Sequence, residues 1–163
     1  MKEVTVIDNY LDEDNFKNIS ETMSSDMFPW FFNDEKVYHT NKNSLFNYQF
    51  THTFYNESKI NSDHFNILHP LLEKMEAKTL VRIKANLNPI SHKLIKYELH
   101  KDQEYICKGA IYYINENNGY TMFGNEKIES KQNRIVFFDS NIEHSGTNST
   151  DCKNRMVINF NYF

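Results

Sequence analysis

The strand pattern that opens the second half of the chain constrains its fold most. Polar and apolar side chains alternate from residue 80 to residue 88, and a period of two is typical of a strand with two different faces. One face carries Arg82, Lys84, Asn86 and Asn88, and the other carries Val81, Ile83, Ala85 and Leu87. Because the apolar face is expected to meet a helix, the polar face is predicted to point into a barrel and to line a binding site. The alternative is a surface strand with solvated Arg82 and Lys84.

The remaining elements are predicted from periodicity and turn residues. After residue 80 short strand patterns follow one another, with turn signals at residues 88–89, 117–119 and 124–125. The first half predicts strands at Val4–Ile7 and Tyr48–Tyr55 and helices at Leu11–Met23 and Ser62–Lys78. In the second helix Pro70 marks either a kink or the true start, since proline lacks the amide donor. The apolar run Met27–Phe32 is predicted to plug the core rather than to face a substrate.

Two histidines and one carboxylate stand out as candidate metal ligands. In a strand, residues two apart point to the same side, so His100 and Asp102 can reach one ion while Lys101 faces away. His144 follows the apolar run Arg134–Phe138, at the end of a predicted strand. Two imidazoles and one carboxylate on one face of an octahedron form the iron site of non-haem oxygenases. For His100 alone, a solvated histidine beside an acid is the alternative reading.

The last strand pattern adds a cation to this set. Arg155, Val157, Asn159 and Asn161 share one face of the strand that ends the sequence, and Met156, Ile158, Phe160 and Tyr162 share the other. A guanidinium on an inward face stays charged and can bind a carboxylate through two hydrogen bonds. Arg155 is therefore the candidate anchor for an anion, and Lys153 is its local rival.

The order of these motifs resembles a known family. H-x-D is followed by Gly-Ala-Ile-Tyr-Tyr-Ile-Asn, Asn-Gly-Tyr-Thr-Met-Phe and Asn-Arg-Ile-Val-Phe-Phe, and then by the distal histidine and an arginine eleven residues later. This ordered set resembles the 2-oxoglutarate/Fe(II)-dependent dioxygenases. Within them it is most similar to the prolyl-4-hydroxylase-type branch and its small bacteriophage-encoded members. The resemblance is good over residues 80–163 and loose before them.

The resemblance implies cofactors and roles. Fe(II) is expected on His100, Asp102 and His144, with 2-oxoglutarate and O2 as cosubstrates and ascorbate as the reductant in vitro. Arg155 and the Tyr113 hydroxyl are expected to hold the far carboxylate of 2-oxoglutarate, Ile111 to wall the pocket and Tyr112 to point outward. Asn88 stands where prolyl hydroxylases usually carry a tyrosine before a proline, which puts that contact with the cosubstrate in doubt. The tentative substrate pocket comprises Arg82, Lys84, Asn86, Thr121, Asn159 and Asn161.

The expected fold is mainly β: a double-stranded β-helix, or jelly roll, of about eight strands with two or three packed helices. A cupin-like barrel shares this shape, but its metal ligands are typically richer in histidine and it needs no arginine anchor. Residues 1–163 are predicted to form one domain, in which residues 1–79 support a catalytic core at 80–163.

Composition and charge limit the kinds of partner that the chain is expected to bind. A net charge of −4 gives no general attraction to nucleic acids, and no apolar run has the length of a membrane span. The beginning of the sequence carries no apolar signal segment, and Cys107 and Cys152 form no C-x-x-C pair. The chain is therefore expected in the cytoplasm with reduced thiols, and in a host cytoplasm if a phage encodes it.

The resulting functional hypothesis is a dioxygenase that hydroxylates an unactivated C–H bond, with a prolyl or other peptidyl residue as substrate. The same chemistry on a nucleobase or a free metabolite is the first alternative. A non-catalytic, cupin-like metal-binding module is the second. Fold-level analogy does not identify the substrate.

Overall fold

The computed structural model describes residues 4–34 and 47–163. Their helices and strands follow the chain in this order: β1 (Thr5–Ile7), α1 (Glu13–Ser24), β2 (Phe31–Asn33), β3 (Gln49–Asn56), β4 (Lys59–Ile60), a 3-10 turn (Phe65–Leu68), α2 (His69–Lys74), β5 (Leu80–Pro89), β6 (Lys108–Tyr113), β7 (Tyr120–Phe123), β8 (Glu126–Glu129), β9 (Arg134–Asp139), β10 (His144–Gly146) and β11 (Asn154–Tyr162). None of the helices in these two ranges has the length and apolarity needed to cross a membrane.

The strands form two antiparallel sheets. The main sheet has the order β1-β9-β6-β11-β5-β3-β2, with β4 paired to β3, and the small sheet has the order β10-β7-β8. The segment from Lys96 to His100 continues the small sheet, because Lys96 forms a bridge with Thr147 and His100 forms one with His144. Two facing antiparallel sheets with two packed helices confirm the predicted jelly roll.

Hydrophobic side chains form two separate cores. The outer core lies on the helix side of the main sheet, where Ile19 and Met23 of α1 and Leu71 of α2 meet Ile83 and Phe160. The inner core is smaller and lies between the sheets. The alternation along β5 and β11 explains this arrangement, since each strand sends its apolar face to the outer core and its other face between the sheets.

Three sequence-based expectations need correction. The predicted helix at 62–78 is a 3-10 turn followed by the short α2, and Pro70 lies in the first turn of α2, so it marks a start and not a kink. The run Met27–Phe32 plugs the core through Phe28 and the partly buried Trp30, whereas Phe31 and Phe32 are 61% and 64% exposed. Tyr112 points away from the space between the sheets but is buried in the outer core, where its hydroxyl donates to Asn133 Oδ1.

The histidine of β3 behaves as a structural residue, as predicted. His52 is 3% exposed, and its ring nitrogens lie 2.8 Å from the Pro29 carbonyl oxygen and 2.7 Å from Ser62 Oγ. Burial lowers the pKa of His52. Both ring nitrogens are therefore occupied by the protein itself.

Candidate metal centre and cosubstrate pocket

The small sheet places two candidate ligands side by side. His144 begins β10, and its amide donates to the carbonyl oxygen of His100 at 2.9 Å, while the His100 amide donates to the carbonyl oxygen of His144 at 3.0 Å. This exchange of both backbone hydrogen bonds defines a directly opposed antiparallel pair. This pairing places the two imidazole rings side by side, with their centroids 4.5 Å apart.

Asp102 completes the cluster. Ligand atoms of His100, Asp102 and His144 all lie within 4.8 Å of one another, and His144 Nε2 is 3.8 Å from Asp102 Oδ1. Two imidazole nitrogens and one carboxylate oxygen around a single point fit an Fe(II) ion with open coordination positions. The three residues that the sequence singled out therefore meet at one place.

The backbone orients both rings for metal binding. The Nδ1 atoms of His144 and His100 lie 3.0 Å from the Ile142 carbonyl oxygen and 3.3 Å from the Glu98 carbonyl oxygen, respectively. A carbonyl only accepts, so each Nδ1 carries the proton and each Nε2 keeps its lone pair. Burial lowers the pKa of His100, and the neighbouring His144 adds to the effect, which favours the neutral ring that a metal needs.

The carboxylate of Asp102 is held by two residues of the main sheet. Asn161 Nδ2 donates to Asp102 Oδ2 at 3.1 Å, and Arg82 Nη2 lies 3.6 Å from Oδ1. Asn161 was predicted in the substrate pocket, but the structure places it behind Asp102. Its contact is of the kind that orients a metal ligand.

Arg155 is a buried cation without an acidic partner. Its side chain is 3% exposed, Nε donates to Ser130 Oγ at 2.7 Å, and Nη2 donates to Thr121 Oγ1 at 3.0 Å. No carboxylate among the described residues pairs with it. Burial lowers the pKa of Arg155 because the charged form loses solvation. A buried charge of this kind is costly until an anion joins it, which fits the carboxylate of a bound dicarboxylic acid.

Tyr113 supports this guanidinium from one side. Arg155 Cζ lies 5.5 Å from the centroid of the Tyr113 ring, and the Tyr113 hydroxyl donates to Thr121 Oγ1 at 2.8 Å. Burial raises the pKa of Tyr113. Thr121, predicted in the substrate pocket, thus receives hydrogen bonds from both residues of the predicted anchor.

One cavity of ≈ 580 Å³ joins the metal cluster to Arg155. Most of the residues predicted for the site line it: Arg82, Lys84, Asn86, Asn88, His100, Asp102, Ile111, Thr121, His144, Arg155 and Asn159. Lys101 also lines it, so the expectation that Lys101 faces away is wrong. Asn88 lies opposite Arg155 in the strand register, and its Oδ1 has no hydrogen-bond partner.

Several residues of this site were not predicted from the sequence, and Ser130, Tyr97 and Gly119 are three of them. Ser130 bonds Arg155, Tyr97 lines the cavity, and Gly119 lies against the Arg155 side chain. Burial raises the pKa of Tyr97. In the sequence, Gly119 was noted only as a turn residue. Tyr97 lies three residues before His100, so strand alternation did not predict that both side chains line one cavity. Ser130 carried no signal at all.

Known structures share this architecture. No protein-family model matches the sequence, and no curated protein matches it. A viral collagen prolyl hydroxylase from Paramecium Bursaria Chlorella virus-1, solved as a 2OG complex, superposes with a TM-score of 0.64 at 12% identity over 98% of this chain and 95% of the viral one. The chain has the fold of the 2OG-Fe(II) oxygenases.

Two further structures widen the comparison. A prolyl hydroxylase from Trichoplax adhaerens, in complex with a hypoxia inducible factor peptide fragment, has a TM-score of 0.64 at 13% identity, over 100% of this chain and 84% of that one. The non-heme alpha ketoglutarate dependent epimerase SnoN of nogalamycin biosynthesis has a TM-score of 0.71 at 10% identity, over 99% and 78%. The shared fold therefore supports more than one reaction.

Proposed function

We propose that this protein is a 2-oxoglutarate- and Fe(II)-dependent dioxygenase that hydroxylates a C–H bond. The observation that carries the proposal is the pairing, in one cavity, of the His100–Asp102–His144 cluster with the buried and acid-free Arg155. An inert metal-binding barrel has no need for such a cation. The cupin-like alternative therefore explains the cluster but not Arg155.

The proposed roles follow from the contacts. His100, Asp102 and His144 hold the iron, and Arg155 with Thr121 receives the far carboxylate of 2-oxoglutarate. When bound, the iron and 2-oxoglutarate supply the oxidising chemistry, in which O2 is consumed and 2-oxoglutarate leaves as succinate and carbon dioxide.

The remaining residues orient the metal ligands and limit the access of water to the cavity. Asn161 and the carbonyl groups of Glu98 and Ile142 keep the ligands oriented before the metal arrives. Ile111 and Val157 wall the cavity with apolar surface. A fixed ligand set in a shielded cavity limits both reorganisation and water during the reaction.

A prolyl or other peptidyl residue is the proposed substrate, supported by the prolyl hydroxylases among the structural neighbours. The epimerase among them supports the alternative of a small metabolite, and a nucleobase remains the third option. Residues 1–163 are proposed to act as one catalytic domain. The free thiols of Cys107 and Cys152 support a reducing compartment such as a cytoplasm, which is that of a host if a phage encodes the chain.

The test is anaerobic loading with Fe(II) and 2-oxoglutarate, followed by O2 with ascorbate as reductant. We expect succinate to form with matching O2 uptake, and candidate peptides to gain one oxygen by mass spectrometry. His69→Ala serves as the control, because His69 is exposed and distant from the cluster in sequence. A protein that binds the metal but neither binds nor consumes 2-oxoglutarate is a metal-binding module and not a dioxygenase.

A further inference from the structure

The cavity carries a charge opposite to that of the whole protein. Among the described residues, its lining includes four cations, Arg82, Lys84, Lys101 and Arg155, and two carboxylates, Asp102 and Glu104, which gives this part of the lining a net charge of +2. The complete chain has a net charge of −4. A positive cavity in an acidic protein focuses the field on anions that enter it.

The proposed iron and cosubstrate do not neutralise this excess. Fe(II) brings two positive charges and 2-oxoglutarate brings two negative ones, so the net charge of +2 remains when both are bound. Lys101 and Glu104 balance each other, and Asp102 and Arg155 are assigned to the iron and to the far carboxylate. The surplus therefore falls on Arg82 and Lys84.

The strand register separates these two cations from Arg155. Arg155 lies opposite Asn88, whereas Lys84 lies opposite Asn159 and Arg82 lies opposite Asn161. Four residues of strand from Asn88 to Lys84 correspond to about 13 Å. The four carbon–carbon bonds of 2-oxoglutarate, each roughly 1.5 Å, span less than about 6 Å. One cosubstrate anchored at Arg155 is therefore too short to span the distance along β5 to the positions of Lys84 and Arg82.

Lys84 has the surroundings expected of a residue that binds an anion. Within the described ranges its ammonium makes no hydrogen bond and no ion pair with any residue, although the side chain lines the cavity and is partly buried. Burial lowers its pKa, and Arg82 adds to this effect. Arg82 Nε is also buried without a partner, and so are the amide oxygens of Asn86 and Asn159 beside it. Buried polar groups without partners are rare. A bound anion can accept from Lys84 and from Arg82 Nε, whereas the two amide oxygens need a donor, such as an N–H or a hydroxyl of the same ligand.

We propose that the substrate carries an anionic group, a carboxylate or a phosphate, that binds Lys84 and Arg82 beside the metal cluster. This inference rests on the proposed function and specifies its substrate class. The anionic group holds the substrate on β5, next to Asp102, so that a neighbouring carbon faces the iron. A neutral peptidyl segment leaves Lys84 without an anionic partner, and the site therefore discriminates against it.

Calorimetry on the Mn(II)-loaded protein, saturated with 2-oxoglutarate under nitrogen, tests this. One pair of probes is N-acetyl-L-proline and N-acetyl-L-prolinamide, which differ only in a carboxylate. The second is N-acetyl-O-phosphoserine amide and N-acetylserine amide, which tests phosphate as the source of the charge. We expect at least one anionic probe to bind roughly tenfold or more tightly than its neutral partner.

Three variants localise the effect. Lys84→Met removes the preference for the anionic probe and leaves the dissociation constant of 2-oxoglutarate within about twofold, Lys84→Arg retains the preference, and Lys17→Met on the exposed face of α1 changes neither. Arg82 is not used because it contacts Asp102. Retained 2-oxoglutarate binding shows that each variant is folded.

Several results overturn the inference. Equal binding of the two members of both pairs, or no binding of either anionic probe, removes the anion site while the proposed function stands. A loss of 2-oxoglutarate affinity of about tenfold in Lys84→Met assigns Lys84 to the cosubstrate instead. Wild-type protein that does not bind 2-oxoglutarate at all contradicts the proposed function, and this inference with it.

Discussion

Gly119 leaves the space that the Arg155 side chain fills. A Cβ atom at position 119 would lie 2.6 Å from Arg155 Cδ and 2.6 Å from the Asn148 carbonyl oxygen, closer than side chains and backbone approach each other. The turn that contains Gly119 thus determines where the guanidinium lies.

Gly119→Ala is expected to displace Arg155 and to weaken 2-oxoglutarate binding by about tenfold or more, while metal affinity is retained. Calorimetry with Mn(II) under nitrogen measures both constants. Gly124→Ala is the matched control: it meets nothing within 4 Å but imposes a side chain at a φ of +58°, so it lowers stability without touching the cosubstrate. Equal 2-oxoglutarate affinity in the two variants would show that Arg155 does not need its present position.

Arg155 itself should dominate 2-oxoglutarate binding. Removing one member of a buried charge pair costs on the order of 2 to 5 kcal/mol, so Arg155→Ala is expected to weaken binding roughly 30-fold to several thousand-fold. Arg155→Lys keeps the charge but loses the two-pronged contact, and should recover part of the affinity. Tyr113→Phe should cost least, because its hydroxyl donates to Thr121. A normal dissociation constant for Arg155→Ala would refute the anchor.

The metal cluster gives a third prediction. His100→Ala, Asp102→Ala and His144→Ala should each lower Fe(II) affinity and abolish 2-oxoglutarate turnover, since each removes one of three ligands. The fold should persist, because none of the three belongs to the outer core. Metal titration and circular dichroism check both points, with His69→Ala as control. Turnover that survives any one of these changes excludes that residue from the site. Replacement of His39, which lies outside the described residues, is also predicted to leave metal binding intact.

Asn161 should influence the metal without binding it. Asn161→Ala frees Asp102 Oδ2 from its amide donor, and loss of such an orienting contact typically costs 10- to 100-fold, so about that decrease in Fe(II) affinity is expected. Asn159→Ala on the same face of β11 is the control, because among the described contacts the Asp102 carboxylate accepts from Asn161 and not from Asn159. Identical metal affinity in both variants would leave Asp102 oriented by Arg82 alone.

The edge of the main sheet supplies a pH-dependent test. Asp8, next to β1, accepts hydrogen bonds from Arg134 and Lys131, and the Arg134 contact lowers the pKa of Asp8 from 3.8 to about 2. A lowered folded-state pKa means that the stabilisation is complete above pH 3.8 and is lost as the pH falls towards 2. Asp8→Asn should lower the free energy of unfolding by no more than about 1 kcal/mol at neutral pH, since the groups are partly exposed.

Urea unfolding at several pH values measures this difference. The gap between Asp8→Asn and the wild type should close as the pH falls from 3.8 to about 2. Glu21→Gln in the exposed pair with Lys17 on α1 is the control and should show no comparable gap. A gap that persists unchanged at the acid end would mean that charge is not its cause.

The sequence predicted what local geometry determines. Parity along β5 is a property of any extended strand, so the polar face could be foreseen. The metal cluster could be foreseen from its residue types and motif order, although Asp102 lies at a bend and not in a strand. Ser130 could not be foreseen, because its bond to Arg155 joins residues 25 apart that come together only when the small sheet packs against the main sheet. α2 is shorter than its apolar periodicity predicted, since Glu76 adopts a positive φ of 53° and ends the helical run.

The two cores have different roles: the outer core stabilises the fold, and the inner core borders the cavity. Among the described residues, the cavity is lined by polar groups and by a few members of the inner core, and by no side chain of the outer core. Mutations in the cavity can therefore accumulate with little penalty to folding, whereas the helix side of the main sheet must stay apolar. Such a molecule is free to exchange one substrate for another over evolutionary time while its architecture stays recognisable at 10–13% identity.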